Sequence, residues 1–224
     1  MASVPSLHPW LDPSRVQGAQ LHPDPPDELP PSVRAFGFVP TLDRLRAGDL
    51  LLVSPLKSNL VAGAIQTVQL LAGFVETHAR WHHAAVYVGN DLICEAQVTG
   101  VVTESLYKYC TGDCLLRFRR DNGMQALDSC RLALEVALKL KYRYSWASIL
   151  QLLWQAHAGW GSRAAPRRLS ARATICSQLY ADAYGVVTKS TLDSSATVGV
   201  TPAHLAANRT LADIPMDWLS VPKS

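Results

Sequence analysis

Three residues of this sequence have the side-chain types that covalent catalysis needs. Cys176 lies in Thr174-Ile175-Cys176-Ser177-Gln178, which we predict to be the first turn of a helix. His83 begins a short apolar stretch upstream, and Glu95 follows in the next one. A thiol, an imidazole and a carboxylate can supply a nucleophile, its general base and the group that orients the base. The combination therefore predicts a hydrolase or an acyltransferase.

The surroundings of Cys176 favour an activated thiol. A free thiol has a pKa near ~8.5, and the positive end of a helix dipole or a nearby imidazolium lowers it. We predict Thr174 as the cap of this helix, which puts Cys176 at its second position. The backbone N–H of Cys176 is a natural oxyanion donor there, while the second donor stays open. Taken alone, a cysteine on an apolar helix usually packs in a core.

The catalytic histidine is either His82 or His83, and the strand register decides whether Glu95 can reach it. A three-residue loop, Gly89–Asp91, would pair Ala85 with Glu95 and put His83 diagonal to that carboxylate. A two-residue loop would turn Glu95 to the wrong face, because a one-residue slip reverses the faces of a strand. We therefore predict His83 as the base and an odd loop or a bulge in this hairpin.

Three neighbouring polar residues complete the predicted site. Gln97 would lie directly across from His83 and is the alternative orienting group. Tyr87 is expected on the same strand face as His83, and Ser177 directly follows the cysteine. We predict all three as binding residues.

The elements that must position these residues follow from hydrophobic periodicity. The pattern predicts a mixed α+β fold, in which a small antiparallel sheet packs against helices. Ala84, Val86 and Val88 are expected to face the core. Gly48–Val53 is predicted to be a turn followed by a buried strand, and Val101–Thr103 and Leu115–Arg119 are further predicted strands. The predicted helices are Asp128–Leu140 (capped by Asp128), Ser145–His157, the cysteine helix ending near Gly185, and a short helix after Thr201-Pro202.

The stretch Leu60–Val75 is the longest uncharged apolar run of the chain. It is shorter than the ~20 residues that a membrane span needs, and Gln66 and Gln69 interrupt it. Its apolar residues follow the helical period, so we predict one amphipathic helix packed on the core. A helix that faces lipid or an acyl chain is the alternative.

Size and composition limit the remaining possibilities. The 224 residues, 48% hydrophobic and 17% charged, predict a real core, and a net charge of +3 gives no argument for nucleic acid. We expect residues 1–40 to form a proline-rich extended arm without a helix of its own, and residues 41–224 to form the catalytic domain. No cleaved signal is visible, so we expect cytoplasmic synthesis, with leaderless export left open. No transmembrane segment is expected.

The other cysteines and histidines suggest no strong metal site. The odd count of five cysteines does not indicate a disulfide framework. Cys110 and Cys114 flank a Thr-Gly-Asp turn and could form a disulfide or half of a metal site. A zinc site drawn from His78, His82, His83, Cys110 and Cys114 lacks a second clean ligand pair. We expect no metal and no cofactor.

The order of the motifs resembles the permuted papain-like hydrolases of the NlpC superfamily. That superfamily includes the YiiX-like amidases and the lecithin:retinol acyltransferase-like enzymes. The resemblance covers about Gly48 to Asn208, and the cysteine follows the histidine, as in the permuted branch. The matching stretches are Gly48-Asp49-Leu50-Leu51, His83-Ala84-Ala85-Val86-Tyr87-Val88-Gly89, Ile93-Cys94-Glu95-Ala96, Lys141-Tyr142-Arg143-Tyr144, Cys176-Ser177-Gln178-Leu179 and Thr201-Pro202-Ala203-His204-Leu205.

The resemblance implies a circularly permuted papain-like fold and a cysteine amidase, peptidase, thioesterase or acyltransferase. On its pattern His83 matches the base, Glu95 the third polar residue and Cys176 the nucleophile. Our leading hypothesis is therefore a cysteine hydrolase acting on an amide or ester through a thioester acyl-enzyme. The alternatives are a lipid acyltransferase or phospholipase, with membrane-surface contact through residues 60–75, and a non-catalytic binding module that keeps the fold.

Overall fold

The structure is a computed structural model that describes residues 9–16, 18–26, 28–57, 60–97, 99–140, 143–144, 173–174, 176–192 and 199–222. Within these residues the α-helices are α1 (Pro31–Phe36), α2 (Leu60–Leu71), α3 (Glu76–Ala79), α4 (Ala126–Ala137), α5 (Cys176–Thr188) and α6 (Pro202–Ala207), and Pro13–Arg15 and Leu106–Tyr109 form 3-10 helices. The strands are β1 (Gln20–Leu21), β2 (Phe38–Pro40), β3 (Leu50–Pro55), β4 (His83–Gly89), β5 (Leu92–Gln97), β6 (Gly100–Ser105), β7 (Cys114–Asp121), β8 (Arg143–Tyr144), β9 (Ala173–Thr174), β10 (Leu211–Asp213) and β11 (Trp218–Ser220).

A six-stranded antiparallel sheet forms the centre of the fold, in the order β10-β7-β3-β4-β5-β6. A three-stranded sheet, β1-β11-β2, and a short pair, β8-β9, complete the strand pairing of the described residues. The helices α4 and α5 pack on each other and on β4. The predicted mixed α+β class, an antiparallel sheet packed against helices, is confirmed.

The prediction that Ala84, Val86 and Val88 face the core is confirmed, and the opposite face of the central sheet is buried as well. Leu50, Leu52, Ala84 and Val86 lie in a cluster with α4 and α5. Leu51, Val53, Ala85 and Tyr87 lie in a second cluster on the opposite face. A strand covered on both sides reads as a continuous apolar run, as Leu50-Leu51-Leu52-Val53 does.

The N-terminal residues cover that second face. Leu11, Leu29, Val33 and Val39 are buried in the second cluster. The expectation that residues 1–40 have no helix is wrong at α1, because Pro31 occupies the first turn, where its fixed φ suits a helix and its missing N–H costs nothing. The division into an arm and a domain at residue 40 stays a prediction.

The uncharged run at residues 60–75 does not form one helix. The helix α2 ends at Leu71, and Gly73 follows with φ of +89°, a left-handed conformation that commonly terminates helices. Only Ala62, Val68 and Gln69 of α2 are buried, so the expectation that its apolar side chains face the core is largely wrong. The amide of Gln69 holds the helix in place by donating to the carbonyls of Ala79 (2.8 Å) and Trp81 (2.9 Å).

Two helix boundaries also differ from prediction. The helix α4 begins at Ala126 after Gln125, so Asp128 lies in its first turn instead of capping it. The helix α5 passes Gly185 and ends at Thr188, where Lys189 takes φ of +58°. The predicted helix Ser145–His157 lies outside the described residues. The short helix after Thr201-Pro202 is confirmed as α6, with a capping box between Thr201 and His204.

Candidate active site

The β4–β5 hairpin has the register that brings His83 and Glu95 to one face. Ala85 pairs with Glu95, as predicted, and the register shifts between Tyr87 and Gly89. The connection is tighter than expected, because Gly89 pairs with Leu92 and the turn residues Asn90 and Asp91 both have positive φ. The extra residue is taken up by the bulge instead of by a three-residue loop. The prediction of an odd loop or a bulge is therefore confirmed.

Glu95 is fully buried and accepts hydrogen bonds at both of its oxygens. Oε2 accepts from Nε2 of His83 at 2.9 Å and from the hydroxyl of Tyr109 at 2.7 Å. Oε1 accepts from Nε2 of Gln97 at 2.6 Å and from the ammonium of Lys108. Burial raises the pKa of Glu95, but the hydrogen bond and charge of His83, with the donors Gln97 and Lys108, outweigh it and hold the pKa below its ordinary value. Glu95 is therefore a carboxylate.

The Cys176 thiol and the His83 imidazole form a coupled pair. Burial raises the pKa of Cys176, but the charge of His83, its hydrogen bond and the N–H groups of Ala84 and Ser177 outweigh this and lower it. Burial lowers the pKa of His83, but the charge and hydrogen bond of Cys176, followed by those of Glu95, raise it well above its ordinary value. Opposite shifts of this kind favour a thiolate beside an imidazolium.

The β4–β5 ladder ends one residue short of Ala84, whose backbone interacts with Cys176. Tyr87 donates its N–H to Asp49 on the β3 side, so the alternate N–H groups of β4, including that of Ala84, face β5. The β4–β5 pairing stops at Ala85 and Glu95, although β5 continues to pair with β6. The N–H of Ala84 therefore has no β5 partner in the ladder, and the backbone of Ala84 is one of the groups that lower the pKa of Cys176.

The helix α5 supplies the thiol at its N-terminus. Cys176 is the first residue of α5 and is buried, which agrees with the predicted first turn. The backbone of Thr174 belongs to β9, and residue 175 lies outside the described residues, so the cap of α5 stays a prediction. A cysteine at this position lies near the unpaired N–H groups and the positive dipole end of the helix, both of which favour a thiolate.

The three predicted binding residues have protein partners in the structure. Gln97 contacts Glu95 and also donates to Oε2 of Glu104 at 2.9 Å, so it supports the carboxylate. The Ser177 hydroxyl is buried and donates to the carbonyl of Val200 at 2.6 Å. The Tyr87 hydroxyl accepts from the N–H of Asp91 at 3.4 Å. Contact of any of them with a substrate stays a prediction.

The other histidine of the pair has a different environment. His82 is buried, and neither of its ring nitrogens has a hydrogen-bond partner among the described residues. Burial, followed by the charge of Arg80, lowers the pKa of His82 to about 4. His82 is therefore neutral near pH 7 and has no hydrogen bond to Glu95, whereas His83 does.

The remaining cysteines are free thiols in the described residues. Cys110 and Cys114 form no disulfide, and burial raises the pKa of both, that of Cys114 to about 11. No group of three histidine, cysteine, aspartate or glutamate side chains is placed to hold a metal within the part of the chain that the structure describes. His204 packs against Phe74, with 4.6 Å between ring centroids.

Two residues of the site were not found by sequence reasoning. Lys108 and Tyr109 lie in the 3-10 helix Leu106–Tyr109, which directly follows β6, the strand next to β5. Glu104 and Lys108 are four residues apart and form an ion pair. That spacing was the available signal, but it reads equally well as a surface pair on a helix.

A likeness to a solved structure supports the fold. The crystal structure of the metalloprotein yiiX from Escherichia coli O157:H7 matches this chain with a TM-score of 0.53 and 15% identity. The match covers 76% of this chain and 97% of that one. At this identity the likeness shows the fold alone. No family model and no curated protein matches the sequence.

Proposed function

We propose that this chain is a cysteine hydrolase that cleaves an amide or ester bond through a thioester on Cys176. In this proposal His83 is the general base and acid, and Glu95 orients it. The observation that carries the proposal is the continuous series of contacts from Cys176 through His83 to Glu95. The order of the motifs, together with the yiiX-like fold, supports placing the chain among the permuted papain-like hydrolases.

The ionised state of Glu95 determines the tautomer of His83. A carboxylate only accepts hydrogen bonds, so Nε2 of His83 must carry the proton that it donates to Oε2. Nδ1 is then the nitrogen left for Cys176, and it takes or returns the thiol proton. Glu95 thereby fixes the ring and stabilises its charged form, the role of the third residue in such sites.

The reaction follows from these positions. The Cys176 thiolate attacks the carbonyl carbon, and the Nδ1 proton of the imidazolium passes to the leaving amine or alcohol as the scissile bond breaks. A thioester remains on Cys176. His83, now neutral, removes a proton from water, the hydroxide attacks the thioester, and the released thiolate accompanies a recharged imidazolium.

An acyl-enzyme trapping experiment tests this proposal. We expect p-nitrophenyl acetate to acetylate Cys176 and to be turned over, because the charge and hydrogen bond of His83 lower the pKa of Cys176 and so favour the thiolate. Mass spectrometry of the Cys176 peptide measures the adduct, and the exposed Cys130 of the same chain is the internal control. The His83→Ala variant should acetylate Cys176 far more slowly. Acetylation of Cys176 no faster than that of Cys130 would contradict the hydrolase proposal.

A lipid acyltransferase or phospholipase is the second candidate, and one observation favours it. The helix α2 contains no charged residue, and it exposes Leu60 (94%) and Leu71 (57%). An exposed uncharged helix can lie on a membrane surface and so bring a lipid ester to the thiol. No helix of the described ranges is long and apolar enough to span a bilayer.

Liposome co-sedimentation separates this candidate from a hydrolase of water-soluble substrates. Lipid-directed activity predicts binding that is lost when Leu60 and Leu71 are changed to glutamine. The matched control changes Leu127 and Leu134, which are also exposed but lie on α4. Absence of binding, or equal loss in both double variants, argues against the second candidate. The third candidate, a non-catalytic module, requires that Cys176 react as an ordinary thiol.

A further inference from the structure

The carboxylate of Glu95 is held mostly by residues that have no role in the proposed proton transfer. Lys108 and Gln97 occupy Oε1, while Tyr109 and His83 share Oε2. Each oxygen therefore has two donors, which leaves the carboxylate no free rotation. Burial raises the pKa of Tyr109, so its phenol stays protonated and donates.

Lys108 connects the buried site to the protein surface. Its ammonium forms ion pairs with Glu95 and with Glu104, and its side chain is 28% exposed. Glu95 is completely buried, whereas the Glu104 side chain is 41% exposed. The charges alternate from the Cys176 thiolate through imidazolium, carboxylate and ammonium to a carboxylate in contact with solvent.

The titratable groups around this series come from several elements. They are Cys176 on α5, Glu95 on β5, Glu104 on β6, Tyr109 beside Lys108, and Cys114 at the start of β7, whose charge would act on Tyr109. Burial raises the pKa of Cys114 to about 11, so Cys114 and Tyr109 are neutral around pH 7. Lys108 is therefore the positive charge beside Glu95 that does not take part in the proton transfer.

We propose that Lys108 is a positioning residue that fixes Glu95 toward His83 and, through its charge, sets the pH range over which Cys176 is reactive. The proposal rests on the proposed function of the same site. Glu104 opposes the effect of Lys108, because the Glu104 carboxylate neutralises part of the Lys108 charge. Lys108 thus acts on the reacting atoms only through Glu95.

The two residues should shift the reactive range in opposite directions. Removing the positive charge in Lys108→Met makes proton loss from both His83 and Cys176 harder. When the reactivity of Cys176 is plotted against pH, the two limbs of the curve report these two proton losses, so both limbs should move to higher pH. We expect roughly one pH unit, the effect of a unit charge several ångströms away at an effective dielectric near 20, reduced by solvent. Glu104→Gln leaves Lys108 less neutralised, and both limbs should move to lower pH by roughly half a unit.

The experiment measures the alkylation rate of Cys176 by iodoacetamide between pH 4 and 10 (~0.5-unit steps), with peptide mass spectrometry to exclude Cys130. Lys108→Arg keeps the charge and both ion pairs, so it should retain the wild-type limbs. Opposite shifts in Lys108→Met and Glu104→Gln, with rescue by arginine, are the expected result. A uniform loss of rate with unmoved limbs would mean that Lys108 only supports the structure, and it would overturn the proposal.

The test remains decisive if one variant fails to fold. Glu104 lies at the surface, so Glu104→Gln by itself must still move the limbs downward, and unmoved limbs overturn the proposal. The proposed function fails differently, because Cys176 of the wild-type protein would then show an ordinary thiol profile. If the wild-type thiol is activated but neither substitution moves the limbs of the pH profile, only the role of Lys108 is overturned.

Discussion

Replacing Glu95 by glutamine tests how strongly the site depends on a buried charge. The change keeps the side-chain shape but removes the carboxylate that accepts from His83, Tyr109, Gln97 and Lys108. A glutamine cannot satisfy these donors, because in either orientation its NH2 group points at two of them. Removing one partner of a buried ion pair typically costs about 3 to 5 kcal/mol, and we expect a loss of unfolding free energy of that size.

Glu104→Gln is the matched control for this substitution. Glu104 shares Lys108 and Gln97 with Glu95, but its side chain is 41% exposed, so its loss should cost only ~0 to 1 kcal/mol. Urea unfolding at pH 7, followed by circular dichroism, measures both variants against the wild type. A Glu95→Gln loss within about 1 kcal/mol of the Glu104→Gln loss would refute the reasoning.

The cost of Glu95→Gln should also depend on pH in a defined direction. Folding lowers the pKa of Glu95 below its ordinary value of 4.5, so its stabilising contribution is present above that pH. The contribution is lost as the pH falls from 4.5 through the lower folded-state value. The difference between wild type and variant should therefore shrink in acid, and a constant difference from pH 7 down to ~3 would contradict the linkage.

Three further predictions follow from the described contacts. Gly48→Ala should cost roughly 2 to 4 kcal/mol in urea unfolding, because φ is +97° and a Cβ there would overlap the Ser129 carbonyl oxygen; Gly73→Ala, at φ of +89° in open space, should cost only about 1. Gln69→Leu should cost about 2 to 3 kcal/mol in the same assay, because it leaves buried backbone groups unpaired. The raised pKa of His83 makes its contribution full below pH 6.5 and lost as the pH rises through the folded-state value, so the stability gap to His83→Ala should narrow in alkali.

Each of these predictions has a clear contrary result. Equal costs for the two glycine variants would mean that the backbone contact at Gly48 is not limiting. A loss below ~0.5 kcal/mol for Gln69→Leu would show that its amide is not needed to hold α2. A gap between wild type and His83→Ala that widens in alkali would contradict the raised pKa of His83.

The hairpin could be predicted from sequence because its register depends only on residues that are close together in the chain. Strand side chains alternate, so Glu95 can reach His83 only if the chain absorbs one extra residue, and the bulge near Tyr87 does this. The exact turn could not be predicted, since a bulge and a three-residue loop each add one residue and both put His83 and Glu95 on the same face. Which of the two forms depends on how Asn90 and Asp91 tolerate positive φ.

Other features depend on contacts that are distant in sequence. Lys108 reaches Glu95 only because β6 pairs with β5 and carries the 3-10 helix back over the site. The exposed leucines of α2 could not be predicted from periodicity, because the helix is apolar on most sides and a buried Gln69 decides its orientation. The second face of the sheet is covered by N-terminal residues together with residues near 106–110 and 214–221, and the proline-rich sequence could not show whether residues 1–40 wrap on the domain.

The alkylation rate of Cys176 at pH 6 tests the central claim most directly. The account predicts that iodoacetamide labels Cys176 much faster than the exposed Cys130, because His83 holds the thiolate at a pH where an ordinary thiol is protonated. It also predicts that His83→Ala reduces that rate to the level of Cys130. Labelling of Cys176 no faster than Cys130, with a rate that His83→Ala leaves unchanged, would contradict the account.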